Sequence, residues 1–151
     1  MEGDRCVVVV IPGPPLAQPR PRMTTVSGHA RAYEPVEARS WKGAAQVHMR
    51  QALEEQLEDA GVPYGPQEPV GVWIDAEFAC PKSDWRKRKP RPMRFHTKQG
   101  DLDNIVKAVL DAGNGVLWHD DKQVASVNAC KVIAEQGSPP RVVLIAKALK
   151  E

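Results

Sequence analysis

The sequence has few cysteines, and they form no pattern that would build a site. Cys6, Cys80 and Cys130 are odd in number, lie far apart and occupy apolar or strand-like surroundings. This arrangement argues against a disulfide framework and favours a reducing compartment. A Cys-x-x-Cys pair is missing, which argues against a structural zinc site. We therefore expect the three thiols to behave as small buried hydrophobic groups.

Long hydrophobic runs are also missing. Hydrophobic residues make up 42% of the 151 residues, but no window approaches the roughly 18–20 consecutive apolar residues of a membrane span. The start, Met-Glu-Gly-Asp-Arg, is acidic and precedes only a short valine run, unlike a secretory signal peptide. We therefore predict a cytoplasmic protein without a membrane partner, with residues 1–151 in a single domain.

Acidic residues are scarce in one segment, which we call the basic loop (residues 81–100). The net charge of the chain is only +2, yet residues 82–98 carry one acid, Asp84, against eight bases: Lys82, Arg86, Lys87, Arg88, Lys89, Arg91, Arg94 and Lys98. A local excess of this kind is the electrostatic footprint of a protein that binds phosphate backbones. Three aromatic residues, Trp85, Phe95 and His96, lie among these basic residues. They either stack on exposed nucleobases or anchor the loop. The alternative for the whole segment is a solvated loop without a partner.

A second long segment precedes the first predicted helix. Residues 12–35 hold five prolines before Tyr33 and three spaced arginines, Arg20, Arg22 and Arg31. We predict an irregular loop here and call it the proline-rich loop, because loops of this length are usually functional or disordered. Its arginines either grip phosphates or serve only surface solubility.

The remaining pattern predicts an α/β fold. β-branched runs and alternation indicate strands, spacings of four indicate helices, and Gly61 with Pro63 would end the first helix. The predicted elements are strand 7–11, helix 36–60, strand 70–79, helix 103–112, strand 123–133 and strand 141–148. The order β-α-β-α-β-β favours one mixed sheet of about four strands with two helices packed on it.

The second predicted helix has one apolar and one polar face. At 100° per residue, Asp103, Asn104 and Lys107 fall on one side, and Ile105 and Val109 fall on the other. Asp101 lies just before this helix. The segment Trp118-His119-Asp120-Asp121-Lys122 follows a turn with two glycines, and such a reversal would bring Asp120 or Asp121 next to the helix start. Three carboxylates would then converge from two segments.

Carboxylates without a cysteine or histidine pair suit Mg²⁺ or Mn²⁺ better than zinc. A bound metal would polarise a phosphoryl oxygen and lower the pKa of a water, and Lys107 would add a positive charge beside the reacting phosphate. The plain alternatives are structural. Asp101 would be a helix cap, Asp103 and Lys107 an exposed i,i+4 pair, and Asp120-Asp121 a polar turn.

At these residues the sequence resembles the RusA family of Holliday junction resolvases of bacteria and their phages. The motif is D-L-D-N-I-V-K-A-V-L-D-A from Asp101 to Ala112, followed by Asp120-Asp121-x-Gln123-Val124. The strong likeness covers residues 101–124, and a looser one extends over most of the chain. One departure is the basic loop, which is longer than in compact members of the family. This difference affects the expected selectivity for four-way junctions over other branched DNA.

The resemblance implies a RusA-like fold and a set of roles. Asp101, Asp103 and Asp121 would bind Mg²⁺, with Mn²⁺ as a substitute, and Lys107 would be the active-site lysine. Asp120 and Asn104 would be outer neighbours of the metal. The family acts as a homodimer that nicks two opposed strands of a four-way DNA junction, in recombination and repair inside a bacterial or phage-infected cell. Nicks related by two-fold symmetry suit a two-fold enzyme.

Two other functions remain open on the sequence. The protein would cut flaps, forks or other branched DNA during phage DNA processing, or it would be a non-catalytic DNA-binding module whose carboxylates are only caps. The acidic cluster argues against the last function, because carboxylates beside a phosphate track repel DNA unless a cation intervenes.

Overall fold

The computed structural model describes residues 5–19, 22–58 and 61–150. Within these ranges the elements are β1 (Cys6–Pro12), β2 (Arg22–Val26), β3 (His29–Tyr33), α1 (Val36–Gln56), β4 (Val70–Phe78), β5 (Arg94–Phe95), α2 (Leu102–Gly113), β6 (Val124–Ile133) and β7 (Arg141–Ala148). Single 3₁₀ turns lie at Lys82–Asp84 and Asp121–Gln123. The predicted α/β class with two helices is confirmed.

The main sheet has the strand order β1-β7-β4-β6-β5. β4 and β6 run parallel, and the other neighbouring pairs are antiparallel. A parallel pair needs a crossover connection, and α2 lies within the connection from β4 to β6. The mixed sheet is as predicted, but it has five strands because Arg94 and Phe95 of the basic loop pair with Ile133 and Val132 of β6.

One face of this sheet carries the core. Val9, Leu144 and Ile74 lie side by side on β1, β7 and β4, and all three are buried. α1 and α2 cover this face, and α2 contributes Ile105 and Val109 to the same core. Successive strand residues point to opposite sides of a sheet. The alternation of buried and exposed residues along a strand therefore shows which face the helices cover. The covered face therefore determines where α2 and its polar residues stand.

The first helix ends earlier than expected. It was predicted to reach Ala60, but it ends at Gln56, because Leu57 is already extended. The Gln56 side chain instead pairs with β1: Oε1 accepts a hydrogen bond from the amide of Val8 at 2.8 Å, and Nε2 donates to its carbonyl at 2.7 Å. β1 is an edge strand, so this contact satisfies backbone groups that would otherwise face solvent.

The proline-rich loop is not irregular throughout, and the prediction was wrong for residues 22–33. β2 and β3 form a separate antiparallel hairpin. Its two connecting residues, Ser27 and Gly28, both have positive φ, at 52° and 78°, as in the type I′ turns that match the twist of two-residue hairpins. Arg20, one of the predicted phosphate contacts, lies outside the described residues.

The cysteine expectation holds only in part. Cys80 is buried, Cys130 is partly buried, and Cys6 is exposed because it begins the edge strand β1. Cys130 donates a hydrogen bond to Asp75 Oδ1 at 3.1 Å, and burial together with this carboxylate raises its pKa to about 11. Neither helix of the described chain combines the length and the apolar run that a membrane crossing requires.

Candidate active site

Gly100, which precedes Asp101 and α2, is fixed by contacts from the sheet. Gly100 has a φ of 88°, a left-handed conformation that glycine adopts without steric cost. A Cβ atom at this position would lie 3.4 Å from Phe78 Cζ. Lys131 of β6 donates from Nζ to the carbonyls of Lys98 at 2.6 Å and Gly100 at 2.8 Å. These contacts set the direction in which the chain enters Asp101 and α2.

Asp101 and Asp103 both stand exposed at the start of α2. Asp101 occupies the N-cap position, but its carboxylate accepts no hydrogen bond from the amides of the first turn. Its backbone carbonyl accepts from the amides of Asn104 and Ile105, both at 3.1 Å. The helix dipole favours negative charge at this end. The alternative that Asp101 is only a helix cap is therefore not supported, and neither carboxylate forms an ion pair within the part of the chain that the structure describes.

Lys107 lies one turn further along α2 and is exposed. Within the described chain no ion pair joins it to Asp103, so the alternative of an i,i+4 salt bridge is not realised. Asn104 is half-buried, and its carbonyl accepts a hydrogen bond from the amide of Gln18 at 3.0 Å. The proline-rich loop is thereby attached to the same turn of α2 as the two acids.

Asp120 and Asp121 do not lie at the start of α2, and the expected convergence within one subunit is wrong. Asn114 directly follows the C-terminal residue of α2, and its Nδ2 lies 3.4 Å from Asp121 Oδ2. Asn114 comes eleven residues after Asp103, which corresponds to roughly 16 Å along a helix. Asp121 is therefore about one helix length away from the other two acids.

The physical reason is a compact turn at the end of α2. The carbonyl of Gly113 accepts hydrogen bonds from the amides of Val116 at 3.0 Å and Leu117 at 2.9 Å. The buried Trp118 ring packs directly against Gly113 and donates from Nε1 to the carbonyl of Leu110 at 3.1 Å. Because residues 113–118 close on themselves, the chain does not travel back along the helix before it reaches Asp121.

The turn that holds the downstream acids is built around Gln123. This buried side chain accepts from the amide of His119 at 2.7 Å and donates from Nε2 to the carbonyls of Gly65 at 2.8 Å and Glu68 at 2.9 Å. Asp120 caps the turn, with Oδ1 accepting from the amide of Lys122 at 3.0 Å. The alternative of a polar turn is thus supported for Asp120. The Asp121 side chain is exposed, and its Oδ2 accepts from the side-chain amide of Asn114 at 3.4 Å.

No three histidine, cysteine, aspartate or glutamate side chains of residues 5–19, 22–58 and 61–150 are grouped for a metal ion. Asp101 and Asp103 nevertheless offer two exposed carboxylates at one helix end. Proteins commonly hold Mg²⁺ with one or two carboxylates and leave the other positions to water and substrate phosphate. The chemistry of these two donors therefore fits a hard cation.

The basic loop is ordered, and Gln136 holds it. Gln136 Oε1 accepts from the amides of Arg86 at 2.8 Å and Arg91 at 3.1 Å, while Nε2 donates to the carbonyl of Arg86 at 3.0 Å. The amide of Gln136 also donates to the carbonyl of Arg91 at 2.9 Å. These hydrogen bonds hold the backbone of the loop at Arg86 and Arg91, and the exposed cations Lys87, Arg88 and Lys89 lie between them.

The cations of the basic loop differ in their surroundings. Arg94 is committed to an ion pair with Asp84 at 2.6 Å, and Arg91 is half-buried. The remaining cations are exposed: Lys82, Arg86, Lys87, Arg88, Lys89 and Lys98. Of the other predicted phosphate contacts, Arg31 is exposed on β3, and Arg22 belongs to β2. The structure thus brings a group of exposed cations to one ordered loop, while Arg94 stabilises that loop.

The aromatic residues of the basic loop also separate into two kinds. Phe95 is 78% exposed, and Trp85 is partly anchored because its Nε1 donates to the carbonyl of Cys80 at 3.1 Å. His96 packs edge-on against Phe78, with ring centroids 4.6 Å apart. Burial, and then the nearby Lys131 ammonium, lower the pKa of His96. Phe95 is consequently the aromatic side chain best placed to meet an exposed nucleobase.

Several residues that shape this site gave little sign of it in the sequence. Lys131, Gln136 and Asn114 are polar residues in a strand, a turn and a helix end, and each acts through contacts with distant chain segments. Gln123 did carry a signal, because it belongs to the Asp120-Asp121-x-Gln123-Val124 motif. Its role is to position the turn, which the motif alone does not reveal.

Two comparisons with known proteins bear on this arrangement. The family model described as "Endodeoxyribonuclease RusA" matches residues 12–145, which include the proline-rich loop, the basic loop, α2 and the Asp120-Asp121 turn. The uncharacterized protein YqaN of Bacillus subtilis (strain 168) is 26% identical over 147 residues, covering 94% of this chain and 96% of YqaN. The similarity therefore extends over nearly the whole of both chains.

Proposed function

This chain belongs to the RusA family of endodeoxyribonucleases, which act on Holliday junctions, and from that premise we propose that it resolves four-way DNA junctions by paired symmetric nicks. RusA family nucleases are generally dependent on a divalent metal. For this chain the proposed cofactor is Mg²⁺, with Mn²⁺ as a substitute. The proposed setting is DNA recombination and repair in the cytoplasm of a bacterial or phage-infected cell.

One observation carries the proposal: two exposed acids, without an ion-pair partner in the described ranges, lie directly after the basic loop. Lys131 holds Lys98 and Gly100 through their carbonyls, so the backbone of Lys98, the last cation of the loop, is held only three residues before Asp101. Exposed cations draw in a phosphate backbone. Carboxylates at the same place repel it unless a divalent cation intervenes. The combination is reasonable for a nuclease and costly for a protein that only binds DNA.

The side chains of α2 would divide the chemical work. Asp101 and Asp103 would hold the metal, which, when bound, polarises the scissile phosphoryl oxygen and makes a water more acidic. Lys107, exposed and without an ion-pair partner in the described chain, would place its ammonium beside the phosphate and stabilise the negative charge that develops there. Asn104, and Asp120 of a second copy of the chain, are proposed as outer neighbours of the metal.

Asp121 is proposed to act in a homodimer. It lies about one helix length from Asp101 and Asp103 of its own subunit, so it cannot share their ion there. In a two-fold pair, the start of α2 in one copy can meet the end of α2 in the other if the helices pack antiparallel. Asp121 of a second copy would then complete each site. Two such sites, related by symmetry, suit two opposed cuts in a junction.

The DNA path is proposed to follow the exposed cations. Phosphates on either side of the cut would be neutralised by the exposed cations of the basic loop. Three further arginines, Arg20, Arg22 and Arg31, would also contribute. Arg91 and Arg94 would act chiefly by shaping the loop, because Arg91 is half-buried and Arg94 is paired with Asp84. Phosphate contacts position DNA without reading its sequence.

The deciding experiment compares cleavage and binding. The protein with Mg²⁺ should nick a synthetic four-way junction in pairs, and Asp103→Asn should abolish cutting while leaving junction binding intact. Glu54→Gln, which removes an exposed charge from α1, serves as the control and should cut normally. Normal cutting by Asp103→Asn would disprove the assignment. Flap, fork and plain duplex substrates run alongside show whether another branched DNA is preferred.

A further inference from the structure

The β2–β3 hairpin forms a sheet of its own, and no other element among the residues that the structure describes covers it. We propose that it is a DNA-binding arm, whose face with His29, Arg31 and Tyr33 lies on the sugar–phosphate backbone beside the acidic end of α2. This inference rests on the proposed nuclease function and deepens it. It gives the hairpin a defined contact with the substrate, on a different element from the basic loop.

The first supporting observation is the exposure of the hairpin. Every residue of β3 is exposed, and so are Met23, Thr24 and Thr25 of β2, with Met23 at 65%. An isolated two-stranded ribbon is at best marginally stable in water. The tight turn at Ser27 and Gly28 sets the pairing register, but it does not supply a core. A contact made in the working complex would supply the missing layer.

The second observation is that the two faces of the ribbon differ. The pairing sets Thr24 opposite Arg31, and alternate residues share a face, so His29, Arg31 and Tyr33 lie on one side. The other side holds Met23, Thr25, Ala30 and Ala32, which are small or apolar. Residues 13–33 contain no aspartate or glutamate. One face therefore offers cationic and aromatic groups to an anionic partner, without an acid that would repel it.

The third observation is where the arm is rooted. On its N-terminal side, the amide of Gln18 donates to the carbonyl of Asn104 in the first turns of α2. On its C-terminal side, Glu34 lines a small cavity together with Gln18, Lys42, Ala108 and Asp111, and Lys42 and Asp111 form an ion pair at 3.3 Å. Both ends of the arm thus rest against α2, on the helix that carries Asp103 and Lys107.

These positions favour DNA over a second copy of the chain as the occupant. An arm that wraps a partner subunit would be expected to bring large apolar side chains into the contact, and the face opposite Arg31 holds one methionine with alanines and a threonine. The Arg31 face instead suits phosphate oxygens, which guanidinium groups often bind in a bidentate manner. The arm would therefore hold the backbone adjacent to the scissile phosphate.

The test measures how junction binding depends on salt, without divalent metal so that no cutting occurs. Each neutralised phosphate contributes about 0.9 to the log–log slope on B-DNA. Arg31→Ala should lower that slope by about one and weaken binding at low salt, and Arg31→Lys should restore most of the slope. Met23→Ala, on the opposite face of the same ribbon, should leave the slope as it is in the natural sequence.

An unchanged slope in Arg31→Ala would overturn the arm. The proposal would also be overturned if sedimentation showed that Arg31→Ala changes the oligomeric state while the salt slope stays the same. The hairpin would then bind a second copy of the chain. If the natural protein binds with an Arg31-dependent slope but cuts no branched DNA when Mg²⁺ is added, the nuclease proposal fails and the DNA contact of the arm stands. The two failures are thus separable.

Discussion

The side-chain amide of Asn114 lies 3.4 Å from the carboxylate of Asp121, and this contact ties the third acid to the C-terminal end of α2. Asp101 and Asp103 stand at the other end of the same helix. An ion cannot be shared across a separation of roughly 16 Å, because metal–oxygen bonds are only about 2.0–2.6 Å long. A site that uses all three acids must therefore be assembled from two subunits.

Mixing two inactive variants tests this assembly. Asp103→Asn and Asp121→Asn should each abolish cleavage as homodimers. In a mixed dimer, Asp103 from the Asp121→Asn chain and Asp121 from the Asp103→Asn chain would meet in one intact site. We expect the mixture to recover single-strand nicking at one of the two positions, measured on a junction labelled on each strand in turn.

The matched control mixes Asp101→Asn with Asp103→Asn. Both changes fall in the same half of the site, so each site of a mixed dimer keeps one damaged half, and activity should not return. If each site instead lay within one subunit, a mixture of Asp103→Asn and Asp121→Asn would stay inactive as well. Recovery in the first mixture alone is therefore diagnostic.

Gln136→Ala tests whether order in the basic loop contributes to DNA binding. The change removes three side-chain hydrogen bonds to the backbone of Arg86 and Arg91. The cations remain, but the loop has to be ordered at each encounter, and immobilising a flexible side chain costs roughly 0.5–1.5 kcal/mol. We expect junction affinity to fall by about three- to tenfold, measured by titration at fixed salt.

Gln51→Ala is the control for the loop variant, since Gln51 is exposed on α1 and has no part in the loop. Gln136→Glu is the informative partner. It keeps the acceptor for the amides of Arg86 and Arg91 but cannot donate to the carbonyl of Arg86. Its added carboxylate also repels DNA, so the comparison is made at raised salt, which screens that repulsion, and its affinity should there lie between those of Gln136→Ala and the natural protein. Equal affinity for all of them would show that the clamp has no effect on binding.

The fold was largely predictable because hydrophobic alternation is a local signal. The strands with Val9, Ile74 and Leu144 and the apolar face of α2 with Val109 follow directly from residue spacing, and the structure confirms them. The hairpin was missed because five prolines between residue 12 and Tyr33 suggested an irregular loop. Its signal was the Ser27-Gly28 pair, which permits a two-residue turn.

The site was less predictable, because its geometry depends on contacts between distant segments. The motif marked Asp101, Asp103 and Asp121 as a set, but spacing alone could not show that residues 113–118 close into a local turn. That closure depends on Gly113, whose missing side chain admits the Trp118 ring. The position of Asp121 is thus decided by packing at the end of α2. The periodicity of hydrophobic residues in the sequence does not reveal this packing.

Gly113→Ala should destabilise the protein for this reason. A Cβ atom at residue 113 would lie 2.3 Å from Trp118 Cζ2, and Trp118 is fully buried, so the ring has no room to move. Overpacking of this kind typically costs about 1–3 kcal/mol. Gly43→Ala is the matched control on α1: a Cβ there meets nothing within 4 Å, and the change should stabilise the helix by roughly 0.5–1 kcal/mol. Urea unfolding midpoints that move in opposite directions would bear this out, and a normal midpoint for Gly113→Ala would contradict the packing.

His96 predicts how stability depends on pH. Its pKa is lowered in the folded protein, first by burial and then by the Lys131 ammonium, whereas the unfolded chain has the ordinary value of about 6.5. Just below pH 6.5 the unfolded chain therefore binds more protons, and the free energy of unfolding should fall as pH drops through this window and level off below the folded pKa. His96→Gln should remove this part of the pH dependence, which thermal unfolding at a series of pH values measures. An NMR titration of the His96 ring provides the direct check, because a midpoint at the ordinary value would remove the expected pH dependence and a midpoint above it would reverse the sign.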